Sequence, residues 1–350
     1  NLRIINFSNT NDTLFFTGKN NGNYEIVNSY INKKPFRVKQ RQVPNLLSNS
    51  TGVDYLIVYN KILESSAELL KQRRAAKDNF RTFKAEIEDI YDIFNYGFEN
   101  PVAVRYFAKH VYDNWQLPKV KYLCLFGRGS LDPKKNSAGS AFYQNLVPVY
   151  GNPPSDGYFA NFNLGSFTYY HQVAVGRIPA LTNQEGNDIV NNIIQYENQS
   201  TAPLPWFKNF IMITGGQTIQ EQIQFASQSE YFLNTYIKPP PNSGYPVRIY
   251  RNDSASGVTF HYQDSIKNAI NSGGMFVNYI GHAGSNTWDN GLDDPNVLSN
   301  QFRMPIVFSM TCFTGKNAET QFRSFGERFI IIPNKGAIGF VGTTGWSFSG

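Results

Sequence analysis

A chain of 350 residues with 41% hydrophobic and 17% charged residues can bury one large core or two smaller ones, which excludes a disordered chain. The net charge of +6 is spread thinly, and the densest basic run, Lys71-Gln72-Arg73-Arg74, fits the solvated face of a helix, so nucleic acid is not an expected partner. No stretch reaches the roughly 18 apolar residues of a membrane helix, and two cysteines cannot make a disulfide framework. The chain opens at Asn1 without Met and reads as an excised domain or a processed product. Residues 1–50 read as short strands and turns, with Asn21-Gly22 as a turn signal, and suggest the β-rich end of a preceding module. From Gly52 strands and helices alternate. The expected strands are Val53–Tyr59, Arg81–Ala85, Lys121–Phe126 and Gln172–Val175. The helices between them are Ala67–Ala76, a segment opened by Asn100-Pro101 and running through Val111, and Asn187–Glu197. Thr201-Ala202-Pro203-Leu204-Pro205 reads as a hinge. After it come strands Phe210–Thr214, Val247–Tyr250, Phe276–Ile280, Ile306–Met310 and Ala337–Val341, with helices Phe225–Tyr236 and Asp264–Asn271. This pattern predicts an α/β fold with mainly parallel sheets, in two subdomains spanning 51–200 and 201–350.

Two of these strands end in reactive residues. Val277 to Ile280 leads into Gly281-His282-Ala283-Gly284-Ser285, and Ile306 to Met310 leads into Thr311-Cys312. In open α/β sheets the chemistry gathers outside the carboxyl ends of the strands. A cysteine nucleophile needs a neighbouring base, and an imidazole supplies one. The oxyanion formed on attack needs backbone N–H donors, for which Cys312 and Ala283 are the candidates. Cys124, inside Tyr122-Leu123-Cys124-Leu125-Phe126, reads as buried filler.

The residues around the pair resemble the gingipain family of cysteine peptidases. Asn278-Tyr279-Ile280-Gly281-His282 with Ser285 and Trp288 is similar to its histidine motif, and Ser309-Met310-Thr311-Cys312 to its nucleophile strand. Ser324 to Phe329 and Lys335 to Gly342 resemble the helix and strand that follow. Upstream, Val53–Val58, Ile90–Asn95, Pro101–Phe107, Tyr122–Gly129 with Asp132, Ser155–Tyr158 and Val175–Pro179 match as well, so the likeness spans roughly residues 50 to 350. These blocks look most like the branch containing PorU, the signal peptidase of type IX secretion. The resemblance implies a caspase-related endopeptidase fold with the catalytic pair in the second subdomain, Cys312 as nucleophile and His282 as the proton donor to the leaving amine. It implies protein or peptide substrates, location outside the cell or at its surface, partners in the secretion machinery, and transpeptidation as a second outcome of the thioester. Trp346 and Trp288 are then the substrate-binding tryptophans.

Two departures stand out. The family's Gly-Ser after the histidine is here Ala283-Gly284-Ser285. The acidic residue that orients the histidine comes, in the family, from the loop after the strand matching Phe210–Thr214. That loop here reads Gly215-Gly216-Gln217-Thr218-Ile219-Gln220-Glu221, so Glu221 fills the role, a glutamine does so more weakly, or the orienter is absent. Those departures leave a different-class alternative, an inactive gingipain-like domain used for binding or scaffolding. Exposed aromatics would suit carbohydrate binding, a reading carried by composition alone. No cofactor is required. Asp289, Asp293 and Asp294, with Asn290, offer hard oxygen ligands for a structural Ca²⁺ but lack EF-hand spacing, and no Cys/His spacing supports zinc.

Overall fold

The computed structural model describes residues 7–11, 13–19, 22, 41–48, 51–137, 139, 141–163, 170–199, 204–252 and 262–347. Residues 1–42 form one compact unit. Its described part is an antiparallel hairpin, β1 (Phe7–Thr10) with β2 (Thr13–Phe16), turned at Asn11 with φ of 53°. The Asn of the expected Asn21-Gly22 turn lies outside the described residues.

The second unit, Val43–Gly350, holds two parallel sheets. The first has the order β4-β3-β5-β6, from β3 (Tyr55–Tyr59), β4 (Thr82–Glu86), β5 (Tyr122–Phe126) and β6 (Ala174–Ile178). The second has the order β11-β10-β9-β7-β8, from β7 (Asn209–Thr214), β8 (Tyr245–Tyr250), β9 (Phe276–Ile280), β10 (Ile306–Met310) and β11 (Gly339–Gly342). Seven α-helices connect or follow these strands: α1 (Glu64–Asp78), α2 (Ile87–Phe94), α3 (Pro101–Asn114), α4 (Asn183–Glu197), α5 (Ile219–Phe232), α6 (Tyr262–Ser272) and α7 (Phe325–Ile331).

The apolar strands explain the layering. Successive side chains leave a strand on opposite faces, and both faces are buried here. Leu56, Val58, Leu123 and Leu125 join one core, while Ile57, Tyr59, Cys124 and Phe126 join the core on the other side. Ile211 and Ile213 are likewise separated from Phe210 and Met212. A parallel sheet covered on both faces reads as a continuous hydrophobic run, which is how these strands read.

Helix starts follow polar caps. Asn100 accepts from the Val102 amide with Pro101 at the first position, and Thr182 accepts from the Glu185 amide. Three expectations shift. Helix α2 was not anticipated: it follows β4 directly from Glu86, with no side-chain cap to announce it. Helix α5 starts at Ile219 rather than Phe225, because Thr218 and Glu221 form a capping box in what reads as loop. Strand β6 runs to Ile178 rather than stopping at Val175, carrying Gly176 and Arg177 along an exposed sheet edge. Of the expected hinge, residues 201–203 lie outside the described set.

Candidate active site

Strands β10, β9 and β7 lie side by side and end in register, with Met310 opposite Ile280 and Ile280 opposite Thr214. The chain then continues to Thr311-Cys312 from β10, to Gly281-His282 from β9, and to the loop reaching Glu221 from β7. Neighbouring strands lie about 4.8 Å apart, so the register alone delivers a cysteine, a histidine and a glutamate to adjacent positions on one rim. The winding reverses between β7 and β9, since β7 leads outward to β8 and the chain then returns to β9 on the other side. Such a reversal opens a crevice beyond the strand ends, and His282 and Glu221 flank it.

Glu221 has two tasks. Its Oε2 accepts from the amides of Gln217 (2.8 Å) and Thr218 (3.0 Å) at the start of α5, while its Oε1 lies 3.0 Å from His282 Nε2. The hydrogen bond to His282, followed by those amides, holds the Glu221 carboxyl at about 2, well below the ordinary 4.5. Of the three ways left open for orienting the histidine, the geometry fits a carboxylate on the imidazole. Phe225 of α5 stands edge-on to the same ring, with centroids 6.1 Å apart.

A chain of hydroxyls ties the three central strand ends beneath the pair. Thr311 Oγ1 donates to the Gly281 carbonyl at 2.6 Å, and Thr343 Oγ1 donates to the Thr311 carbonyl. Gly281 must be glycine, because a Cβ there would sit 2.5 Å from the Tyr279 hydroxyl and 2.9 Å from Gly215 Cα. That phenol lies 2.6 Å from the His282 carbonyl, bonds Asp289 Oδ1, and accepts from the Asp289 amide. Burial and the adjacent Asp289 carboxylate push Tyr279 well above its ordinary value, so it stays a neutral donor.

The Cys312 thiol faces the segment after β11. The Ser347 amide donates to Sγ at 3.3 Å, and the thiol donates to the Ser347 carbonyl at 3.4 Å. Phe313 and Gly315 donate to the carbonyls of Gly345 and Thr343, so residues 343–347 run beside the nucleophile loop. Among the described residues nothing accepts from the Cys312 or Ala283 amides. Ala283 pairs with Trp288 in a bridge whose hydrogen bonds run through its neighbours, Asp289 N–H to His282 O and Gly284 N–H to Thr287 O.

The other expected site residues separate. Trp346 is 73% exposed beside the nucleophile loop, its ring edge-on to Phe313. Trp288 is a correction: it is 1% exposed, stacks on Tyr279, and donates from Nε1 to Ser309 Oγ, so it is a core residue rather than a substrate contact. The three aspartates do not converge on one point. Asp289 braces the loops through Tyr279 and the Gly216 amide, Asp294 caps the short 3-10 turn at Pro295–Val297, and the Asp293 carbonyl accepts from Arg328. Among the described residues no group of three His, Cys, Asp or Glu side chains is placed to hold a metal. The bracing by Tyr279, Thr311 and Asp289 went unread in the sequence. Only the capping spacing Thr218-x-x-Glu221 carried a local signal.

Known proteins fit this geometry. Gingipain R2 of Porphyromonas gingivalis is 24% identical over 246 residues, 68% of this chain and 29% of that protein. Gingipain R1 of the same species is 24% identical over the same 68%, with 22% of its own length matched, so the chain spans under a third of either relative. The crystal structure of the Arg-specific cysteine proteinase gingipain R superposes with a TM-score of 0.63 at 20% identity, covering 84% of this chain and 64% of that one, and the fold is therefore shared. A latent PorU from the same bacterium covers 41% of the chain at a TM-score of 0.35, too low to bear on branch. The model of peptidase family C25 matches residues 48–350, and the chain belongs to that family.

Proposed function

We propose that this chain is a cysteine endopeptidase whose site is Cys312, His282 and Glu221. The carrying observation is the 3.0 Å contact of Glu221 with His282 Nε2 on the rim where β10 also ends. With Nε2 engaged by the carboxylate, Nδ1 is the nitrogen left to exchange a proton with Cys312. The thiol gives that proton to His282 as sulfur attacks the scissile carbonyl carbon. The oxyanion is met by the amides of Cys312 and Ala283. The C–N bond then breaks as His282 returns the proton to the leaving amine, leaving a thioester. Water, deprotonated by His282, releases the acid and regenerates the thiol. An amine acceptor in place of water gives transpeptidation, and the PorU resemblance adds processing of C-terminal signals on exported proteins, outside the cell or at its surface and together with secretion partners.

A peptidyl acyloxymethyl ketone tests this reading. It is expected to alkylate Cys312 far faster than a free cysteine thiol at neutral pH, with the adduct mapped by peptide mass, and His282→Ala is expected to abolish the excess rate. Alkylation of Cys312 no faster than a free thiol would favour an inactive binding domain.

A further inference from the structure

A cleft of about 620 Å³ opens beside the nucleophile loop, between the exposed edge strands β6 and β11. One wall is residues 342–346, whose next residue, Ser347, holds the Cys312 sulfur. The opposite wall carries Asp156 and Arg177. We propose that this cleft takes the substrate side chain on the acyl side of the scissile bond, and that its closed charge pairs select an uncharged side chain over arginine or lysine. The proposal rests on the peptidase reading above.

The charged side chains lining the cleft are Asp156, Arg177 and Glu327, and each is already matched. Arg177 grips Asp156 with a fork, Nη2 to Oδ1 at 2.7 Å and Nε to Oδ2 at 2.9 Å. Its remaining donors go to the carbonyls of Gly127 (2.7 Å), Val147 (2.8 Å) and Pro148 (3.0 Å), which uses all five guanidinium N–H groups. Glu327 is buried, accepts from Arg128 Nε at 2.6 Å, and caps α7 through the Ser324 amide. A substrate cation entering here loses water and meets no free carboxylate, an exchange that costs several kcal/mol in a partly dry site. An uncharged side chain meets Pro153, Phe340 and Trp346 as apolar walls and Thr343 and Thr344 as polar ones. The cleft is closed near the nucleophile by Pro153 against Gly345, where an added Cβ would sit 2.8 Å from the proline ring. It is open at Gly176, where an added Cβ would meet nothing within 4 Å. The solved gingipain R is Arg-specific by its description, so the two proteins would differ in substrate class on a shared fold.

The test uses two peptidyl acyloxymethyl ketones identical except for the residue next to the reactive group, leucine in one and arginine in the other. The leucine probe is expected to label Cys312 at least about 10-fold faster. Gly176→Asp, which places an unpaired carboxylate in open space on the same wall, is expected to raise the arginine rate relative to leucine by about 10-fold. Faster labelling by the arginine probe in the unmodified chain overturns the proposal and leaves the peptidase reading standing. Labelling by neither probe above the rate of a free thiol overturns the peptidase reading, and this proposal with it.

Discussion

The four-stranded and five-stranded sheets share a winding. Strand β3 leads outward to β4 before the chain returns to β5 on its other side, as β7 leads to β8 before the return to β9. Their carboxyl rims are used in opposite ways. Beyond β5 the charged side chain is Arg128, fully buried, tied to Glu327 on α7 and to the carbonyls of Phe142, Glu319 and Phe322. Charge on that rim joins one half of the unit to the other. Beyond β7, β9 and β10 the reactive groups stay partly exposed and are braced from below by hydroxyls and an aspartate. The cysteines repeat the contrast: burial pushes Cys124, in mid-strand on β5, up to about 12, whereas Cys312 stands two residues past the end of β10. A strand end becomes a reactive site when its polar groups are held from behind while one face stays open. Equal topology does not decide that.

The sharpest way to break the comparison is the pair of thiols. In the folded chain Cys312 is expected to react with iodoacetamide at least about 10³-fold faster than Cys124, which reacts only when the core opens. Peptide mapping after timed quenching reads both rates, and equal rates would remove the contrast. The structural rim comes next. Arg128→Met is expected to destabilise the chain by about 3–5 kcal/mol in urea unfolding, because it strands the buried Glu327 carboxylate. Arg128→Met with Glu327→Met is expected to cost less than the single change.

On the reactive rim, Glu221→Gln is expected to lower kcat by about 10²-fold with little change in KM, since it weakens the hold on His282 without touching substrate. The same residue gives a pH signature. Its folded value, about 2, lies below the ordinary 4.5, so its stabilising contribution is complete above pH 4.5 and is lost as pH falls toward 2. Melting temperatures across that window are expected to drop more steeply in the unmodified chain than in Glu221→Gln. The smallest effect belongs to Thr311→Val, which removes the bond to the Gly281 carbonyl. It is expected to cost about 1 kcal/mol of stability and to lower kcat more than KM, with Thr311→Ser restoring both.

Much of this was legible in the residues. Strands β9 and β10 end where their apolar runs end, so the placement of His282 and Cys312 followed from Gly281 and Thr311 breaking those runs. Glu221 was visible as a carboxylate but not as a partner, because which loop faces which strand end depends on the order β10-β9-β7, a long-range property. Trp288 misled for a related reason: motif spacing places an indole near the histidine without saying which side of the sheet it takes, and Tyr279 and Ser309 draw it inward. Asp289 read as a metal ligand because its neighbours are acidic, whereas its partners, Tyr279 and Gly216, come from the ends of two other strands. Arg128 gave no signal, since its counterion lies 199 residues away.

The central claim is that the rim of the five-stranded sheet, and not that of the four-stranded one, carries the chemistry. Hydrolysis of a mixed peptide library, followed by mass spectrometry, tests it most directly in Cys312→Ala and Cys124→Ala chains whose fold is checked by circular dichroism. The account predicts no cleavage by the first and unimpaired cleavage by the second. Cleavage by Cys312→Ala at the unmodified rate would contradict it.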